Sequence, residues 1–393
     1  MTAAVAVATS EATSAFIDEV VRPNAAAMAR GEGPRPAELV RSAGERGLAG
    51  LLVPEVFGGS GADHAVFATF VDAVARVCAS SAVILDVHLS VGTEPIVIFG
   101  TDEQRRRHLP RIASGQVVAA FALTEADSGS DASALATRAE HDGDGYRLSG
   151  TKSFITNCGE AGVYVVMART GPGPSGITAF LVDAELPGVS PTAPLAKMGL
   201  RGSATSQLVL DAVRVDAADR LGKEGEGFRV AMLALDSGRI GISAQACGIA
   251  RGCLDDMVTA ASAGGAPDET ALADVAARTE ASWLLTLHAA RLADAGERVT
   301  RDAAVAKLYA TDACVNAAIV AVEACAPDSA RADHPSAIRL RDAKACQIYE
   351  GTNQVQRIVI ARELLDAGSA RETTAPSDDS HNRPANETAA RSR

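Results

Sequence analysis

Val163-Tyr164-Val165-Val166-Met167, followed by Ile177, Ala179 and Leu181, marks the place where the chain changes its period. Short β-type runs of this kind, rich in Val, Ile and aromatic residues, read as strands. Working outward, Tyr146 and Leu148 lie upstream and Leu208 and Leu210 downstream, again in short runs. Asp142-Gly143-Asp144-Gly145 precedes one of these runs and suits a hairpin turn. Most prolines of the region fall between the runs, where a missing N–H matters least. Residues 118–226 are therefore expected to form a β domain, a sandwich or a barrel.

On either side the period is helical. Ala37, Val40 and Ala43, then Val66, Phe67, Phe70, Val71, Val74 and Val77, recur at three and four residues within 1–117. Breaks fall at Gly31–Pro36, Phe57–Gly61 and Phe99–Asp102; in the last, Thr101 reads as an N-cap with Gln104 completing a capping box. Long Ala-rich stretches restore the helical period over 227–367, including a helix pair at about Thr270–Ala293 and Thr300–Val322. The tail, 368–393, has no large apolar residue and is expected to be disordered. At 393 residues, two or three domains are the expectation.

Composition narrows the function. A formal net charge of -12 argues against a nucleic-acid surface, and the short run Arg105-Arg106-Arg107 does not offset it. The first residues lack the basic and apolar regions of a secretory signal, and no run of about 18 apolar residues is visible to span a membrane. Seven scattered cysteines with no CxxC pair read as reduced thiols of a cytoplasmic protein without a metal site.

Four segments carry chemistry. In Ala120–Asp131 a strand-like run opens into a Gly/Ser-rich turn, whose N–H and hydroxyl groups suit a phosphate or a flavin edge but equally an ordinary turn. In Gly150–Asn157, Phe154 offers a flat apolar face and Thr156, two residues on and so on the same side of a strand, a hydroxyl. A Phe in a strand also reads as core. Lys197–Thr205 is a cationic, hydroxyl-bearing loop, and after it Asp236 and Arg239 stand three apart on a helix, as a ligand pair or a structural ion pair. In Arg341–Arg357, Glu350 stands before a Gly-Thr break; in partly apolar surroundings it would act as a general base, and in water it is a solvated helix end.

The order and spacing of these segments over about Gly47 to Leu365 resemble the acyl-CoA dehydrogenase family. LLVPEVFGGSGAD, FGTDEQRRRHLPRIASG and VIARELL add to the likeness, and the family's "TE..GSD", "ITN", "LG..G.GF", "GRIG.AAQ" and "YEGT" have counterparts here, the fourth with Ser243 for its first Ala. The resemblance implies an N-terminal helical domain, a central β domain and a C-terminal four-helix domain. It implies that Phe121, Leu123, Thr124, Gly129 and Ser130 line a flavin, that Phe154 and Ile155 lie along it, and that Thr156 reaches its reactive nitrogen. Ser130, Asp236, Arg239 and Gly351 match acyl-thioester contacts, Thr352, Asn353 and Gln354 match nucleotide contacts, and Glu350 matches the base. The implied reaction is α,β-dehydrogenation of a short or branched acyl thioester of CoA or an acyl carrier protein. Electrons would pass to an electron-transfer flavoprotein or to oxygen, and the enzyme would be a homodimer or homotetramer.

The sequence departs from the family at the far end of the cofactor. The family's Arg-x-x-Phe-Gly is replaced by Thr259–Glu269, without an arginine, and its Gln-x-x-Gly-Gly by Glu323-Ala324-Cys325-Ala326-Pro327. A Glu near a pyrophosphate repels it. FAD is the expected cofactor, with FMN as an alternative that the missing adenosine clamp would suit. Two other functions fit the same residues: a flavin monooxygenase or oxidase on this fold, and a flavin-free partner subunit.

Overall fold

The computed structural model describes residues 3–263 and 268–373. Alanine-rich segments with apolar residues on one stripe fold as helices because the stripe needs a partner surface. Seven helices come first: α1 (Ala3–Phe16), joined through a π-helical turn to α2 (Arg22–Arg30), then α3 (Pro36–Gly44), α4 (His64–Val77), α5 (Ala79–Leu89), α6 (Glu94–Phe99) and α7 (Asp102–Ala113). Helix α4 follows the expected pattern, burying Phe67, Phe70, Val71 and Val74, with Asp63 capping its start by accepting from the Val66 N–H at 2.9 Å. The Thr101 capping box of α7 forms as expected. Gln104 in that box also donates to the carbonyls of Ala218 and Arg220, which docks α7 on the β domain.

The strands are β1 (Ala119–Ala122), β2 (Arg138–Asp142), β3 (Gly145–Thr156), β4 (Val163–Arg169), β5 (Ile177–Asp183), β6 (Val189–Pro191), β7 (Thr205–Asp216) and β8 (Arg220–Leu221). They join in one eight-stranded sheet of order β6-β7-β3-β2-β4-β5-β8, with β1 paired in parallel to β4. The Asp142–Gly145 hairpin forms, with Gly143 at φ 64. Both β1 and β2 pair with β4, at opposite ends of it. The loop between them, residues 123–137, is thus held at both ends by one strand.

Helices return as α8 (Gly227–Ser262), α9 (Glu269–Asp294), α10 (Thr300–Ala324), α11 (Pro335–Cys346) and α12 (Asn353–Thr373). The helix pair expected near 270–322 is α9 and α10. Helix α8 packs on α4, α5, α9 and α10 and so joins the two helical regions.

Three sequence expectations change. Helix α1 starts at Ala3, well before Ala37, the first residue of the helical period read from the sequence. Helix α12 runs to Thr373, because Ala, Arg and Glu continue a helix readily, so residues 368–373 belong to it; the rest of the expected tail lies outside the described residues. Two helical stretches, Ala79–Phe99 and Thr300–Ala324, are long and apolar enough to cross a membrane, although neither is an unbroken apolar run. The first is the core helix of the fold, with every residue of α5 buried.

Candidate active site

Glu350 follows α11 in a turn where it and Gly351 both take left-handed backbone, φ 53 and 86. A non-glycine residue there costs about 1–3 kcal/mol, and the surroundings must hold it in place. They do so at several points. Gln356 Nε2 donates to the carbonyls of Glu350 (3.3 Å) and Gly351 (2.8 Å), and Lys307 Nζ donates to the Gly351 carbonyl at 2.8 Å. Lys307 also holds Asn353 Oδ1 at 2.9 Å, and Tyr349 donates to Gln245 Oε1 at 2.5 Å.

The strained turn sends the Glu350 side chain against α8. A Cβ placed on Gly238 would stand 2.0 Å from Glu350 Oε2, so only glycine leaves room for the carboxylate. The residue as a whole is partly exposed, yet both carboxylate oxygens are buried and neither has a hydrogen-bond partner. Burial pushes its pKa up to about 7, against the pull of Lys307 and Arg239. The solvated-helix-end reading therefore fails. Asp236 and Arg239 form the expected pair at 2.7 Å, both buried. The second Asp236 oxygen accepts from Thr300 at 2.7 Å, while Arg239 Nε is left without a partner beside Glu350.

Phe154 corrects the strand reasoning. Between Lys152 and Ile155 the register against β7 slips by one residue, and Phe154 takes φ 58 in that bulge. The bulge turns the ring outward, 67% exposed, so it is not core. The alternation that put Thr156 on its side does not run unbroken through the bulge. Thr156 is half-buried at the end of β3. The main chain ties this bulge to the β1–β2 loop, since the Ser153 N–H donates to the Thr124 carbonyl at 2.8 Å.

That loop has an anchor the sequence reading did not single out. Glu125 accepts from the N–H groups of Ala136 (2.6 Å) and Thr137 (2.9 Å) and from Lys152 Nζ (2.8 Å). Lys152 is fully buried and also donates to the Leu123 carbonyl at 3.0 Å. The signal was present as a Glu in the first motif and a Lys in the second, opposite charges in two segments expected to line one site. So anchored, the loop presents Gly129 and Ser130 to solvent, with Thr124 and Phe121 half-buried and Leu123 buried.

The third segment reaches the fourth directly: the Leu200 N–H donates to Asp342 Oδ1 at 2.6 Å, placing the cationic loop on α11. Asn157 Nδ2 donates to the Ile84 carbonyl at 3.1 Å, fixing the end of β3 on α5. Two expected contacts are committed elsewhere. Ile155 is 2% exposed within the core, and the Asn353 amide is occupied by Lys307, Thr311 and Asp312. Thr352 is half-buried and Gln354 exposed.

An outward aromatic ring at a strained bulge, exposed hydroxyls and N–H groups on an anchored loop, and a buried unpartnered carboxylate fit the ring end of a flavin and an acyl group. At the other end, Thr259 and Ser262 turn their hydroxyls back to helix carbonyls, and Glu323 is exposed at the end of α10. Gly264–Pro267, part of the shortened segment, lie outside the described residues.

Comparison with known proteins gives three family matches: acyl-CoA dehydrogenase, N-terminal domain, over residues 6–116; middle domain over 120–213; and C-terminal domain over 225–365. An acyl-CoA dehydrogenase of Bacillus subtilis is 44% identical, covering 84% of this chain and 90% of that one. The short-chain specific acyl-CoA dehydrogenase of Bos taurus mitochondria is 41% identical, covering 84% and 83%. A chain solved in work on the electron transferring flavoprotein of Acidaminococcus fermentans superposes with TM-score 0.88 at 36% identity, covering 93% and 98%. An acyl-CoA dehydrogenase complexed with FAD from Bacillus anthracis superposes with TM-score 0.87 at 27% identity, covering 95% of this chain and 68% of that one.

Proposed function

The chain belongs to the acyl-CoA dehydrogenase family, and we propose that Glu350 is the base with which it dehydrogenates an acyl thioester. The enzyme is a flavin-dependent oxidoreductase acting on CH–CH groups, and FAD is its cofactor. The observation that carries the base assignment is the Glu350 carboxylate, buried, unpartnered and raised to about 7 against Gly238.

A base is most effective when its pKa lies near the working pH. Glu350 meets that condition, and its two buried, unpartnered oxygens are free to accept the α-proton. When bound, FAD supplies the acceptor for the β-hydrogen and its electron pair. Phe154 would bear on the flavin ring, and Thr156 would offer its hydroxyl beside it. The Glu350 N–H would donate to the thioester carbonyl and stabilise charge developing there. Arg239, with a free Nε beside Glu350, holds the charge balance of the site, and Asp236 with Thr300 fixes Arg239.

The acyl group is proposed to be short or branched. The bovine short-chain relative supports this choice. CoA is the proposed carrier, and an electron-transfer flavoprotein the proposed acceptor, supported by the likeness to the Acidaminococcus chain. The seven free, buried cysteines support a cytoplasmic site of action.

Anaerobic mixing of the yellow enzyme with butyryl-CoA tests the reading. The absorbance should bleach within the mixing experiment, and Glu350→Gln should abolish bleaching while retaining flavin. Bleaching that survives this substitution removes Glu350 as the base.

A further inference from the structure

Asp86 has no exposed surface and stands in the middle of α5, a helix buried on all sides. Its side chain enters a space left by a second glycine of α8: a Cβ on Gly241 would stand 2.0 Å from Asp86 Oδ1. Gly238, three residues earlier on α8, leaves the matching space for Glu350 Oε2, at the same 2.0 Å. Residues three apart on a helix share a face, with Cβ positions about 5–6 Å apart. Two carboxyl groups from different segments therefore lean on adjacent positions of one helix.

Their partners do not separate them. Ser90 Oγ donates to Asp86 Oδ1 at 3.0 Å, but Asp86 Oδ2 is buried without a partner, as are both oxygens of Glu350. Hydrogen bonds hold the charged and titratable groups around the pair to other partners, although Arg239 Nε, beside Glu350, and Glu94 Oε2 are left without one. On α6, Glu94 is held at 2.9 Å by His64 of α4, and His64 is held in turn by Asp294 of α9 at 2.8 Å. On α8, Arg239 donates to Asp236; on α10, Lys307 donates to Gly351 and Asn353; after α11, Tyr349 donates to Gln245. Among the described residues none of these gives a hydrogen bond to the Asp86 or Glu350 carboxyl.

Two like charges so placed in a dry interior repel, and one of the two groups keeps its proton. We propose that Asp86 is the proton-holding partner of Glu350: the two carboxyls carry one negative charge between them, Asp86 staying neutral while Glu350 serves as base. Asp86 is then a positioning residue that acts through Glu350. The inference rests on the reading of Glu350 as base. When the α-C–H bond of the acyl thioester breaks, the proton goes to Glu350 and Asp86 neither gains nor loses one. A second negative charge at Asp86 would oppose the charge that develops on the thioester carbonyl. The direction of titration agrees: burial, then the charge of Glu350, push Asp86 well above the usual carboxylate range. Such a pair titrates in two steps that belong to both groups.

The FAD-loaded enzyme tests this as wild type, Asp86→Asn, Glu350→Gln and the double variant, with Tm and turnover of butyryl-CoA measured from pH 5 to 10. An acid with a raised folded pKa loses stability as pH rises above its unfolded value. The wild-type Tm should therefore fall with pH more steeply than that of Asp86→Asn. The gain from Asp86→Asn should shrink when Glu350→Gln has already removed the repelling charge, a non-additive cycle. Turnover of the wild type should decline at the alkaline end, and Asp86→Asn should keep its plateau there. An unchanged alkaline limb, or additive Tm effects at every pH, would overturn the proposal. A merely structural Asp86 would lower Tm without changing its pH slope. Should Asp86→Asn not fold, Ser90→Ala removes the donor that favours the Asp86 anion, and the alkaline limb should move to higher pH; an unmoved limb counts against the pairing. Activity surviving in Glu350→Gln would sink the base assignment alone, and the Tm cycle would still decide whether the carboxyls are coupled.

Discussion

At the scale of single residues, Gly238 matters as much as Glu350. A methyl group there would displace the carboxylate that it now admits, and would also stand 2.8 Å from Val91 Cγ1. Misplacing a catalytic group by about 1 Å costs on the order of 100-fold in rate. Gly238→Ala should therefore lower kcat by about 100-fold with flavin still bound; a loss under threefold would mean that Glu350 moves freely. The raised pKa sets two pH dependences. Turnover should rise as pH passes through about 7, where Glu350 loses its proton. Stability has the opposite sign, because a carboxyl raised in the folded state loses stability as pH rises from its unfolded value, near 4, through about 7. Glu350→Gln should thus be more stable than wild type at pH 8, on the order of 3 kcal/mol, with the gain vanishing near pH 4. Chemical denaturation at the two pH values measures it. Glu350 was legible from its "YEGT" setting, whereas Asp86 was not. A lone Asp in an apolar run gives no local sign of the carboxyl that it will meet from 264 residues further along the chain.

Elements place these residues, and one ion pair does much of the placing in the β domain. Lys152 and Glu125 link β3 to the loop that carries Ser130, and burial lowers Lys152 to about 8 despite its partner. Removing one member of a buried pair costs about 3–5 kcal/mol, since the other charge stays behind. Lys152→Met should lose about that much stability and release flavin at least tenfold more readily. Urea denaturation and flavin fluorescence report the two effects, and a stable variant with unchanged flavin retention would show that the loop needs no anchor. The elements divide by the range of their causes. The capping box at Thr101 and the hairpin at Asp142–Gly145 depend on four neighbouring residues, and both were readable. The bulge at Phe154 depends on how β3 pairs with β7, about 50 residues away, so periodicity alone kept Phe154 and Thr156 in simple alternation.

For the whole molecule, the succession helical, β, helical was legible because the period of the apolar residues changes twice. How the parts meet was not, because the meeting surfaces are α5, with no amphipathic stripe to read, and a glycine-bearing face of α8. The same limit applies to assembly. Helices α9, α10 and α12 lie side by side, and a groove among them is lined by Arg278, Leu308, Tyr309, Arg357 and Ile360. Tyr309 is 41% exposed there, with Leu284 (59%) and Ile319 (43%) exposed on the same two long helices. Exposed apolar side chains, with Tyr309 at the groove, are what an association surface offers. A second copy of the chain is the expected occupant of this face, and a stable interface needs roughly 1,000 Å² or more. Sedimentation should accordingly give a dimer or tetramer, and Tyr309→Asp, by placing a charge in the apolar centre of the contact, should shift it towards one chain's mass. A wild-type enzyme that sediments as a single chain would overturn the assignment of this face. A Tyr309→Asp variant that stays fully assembled would move the contact elsewhere on the molecule.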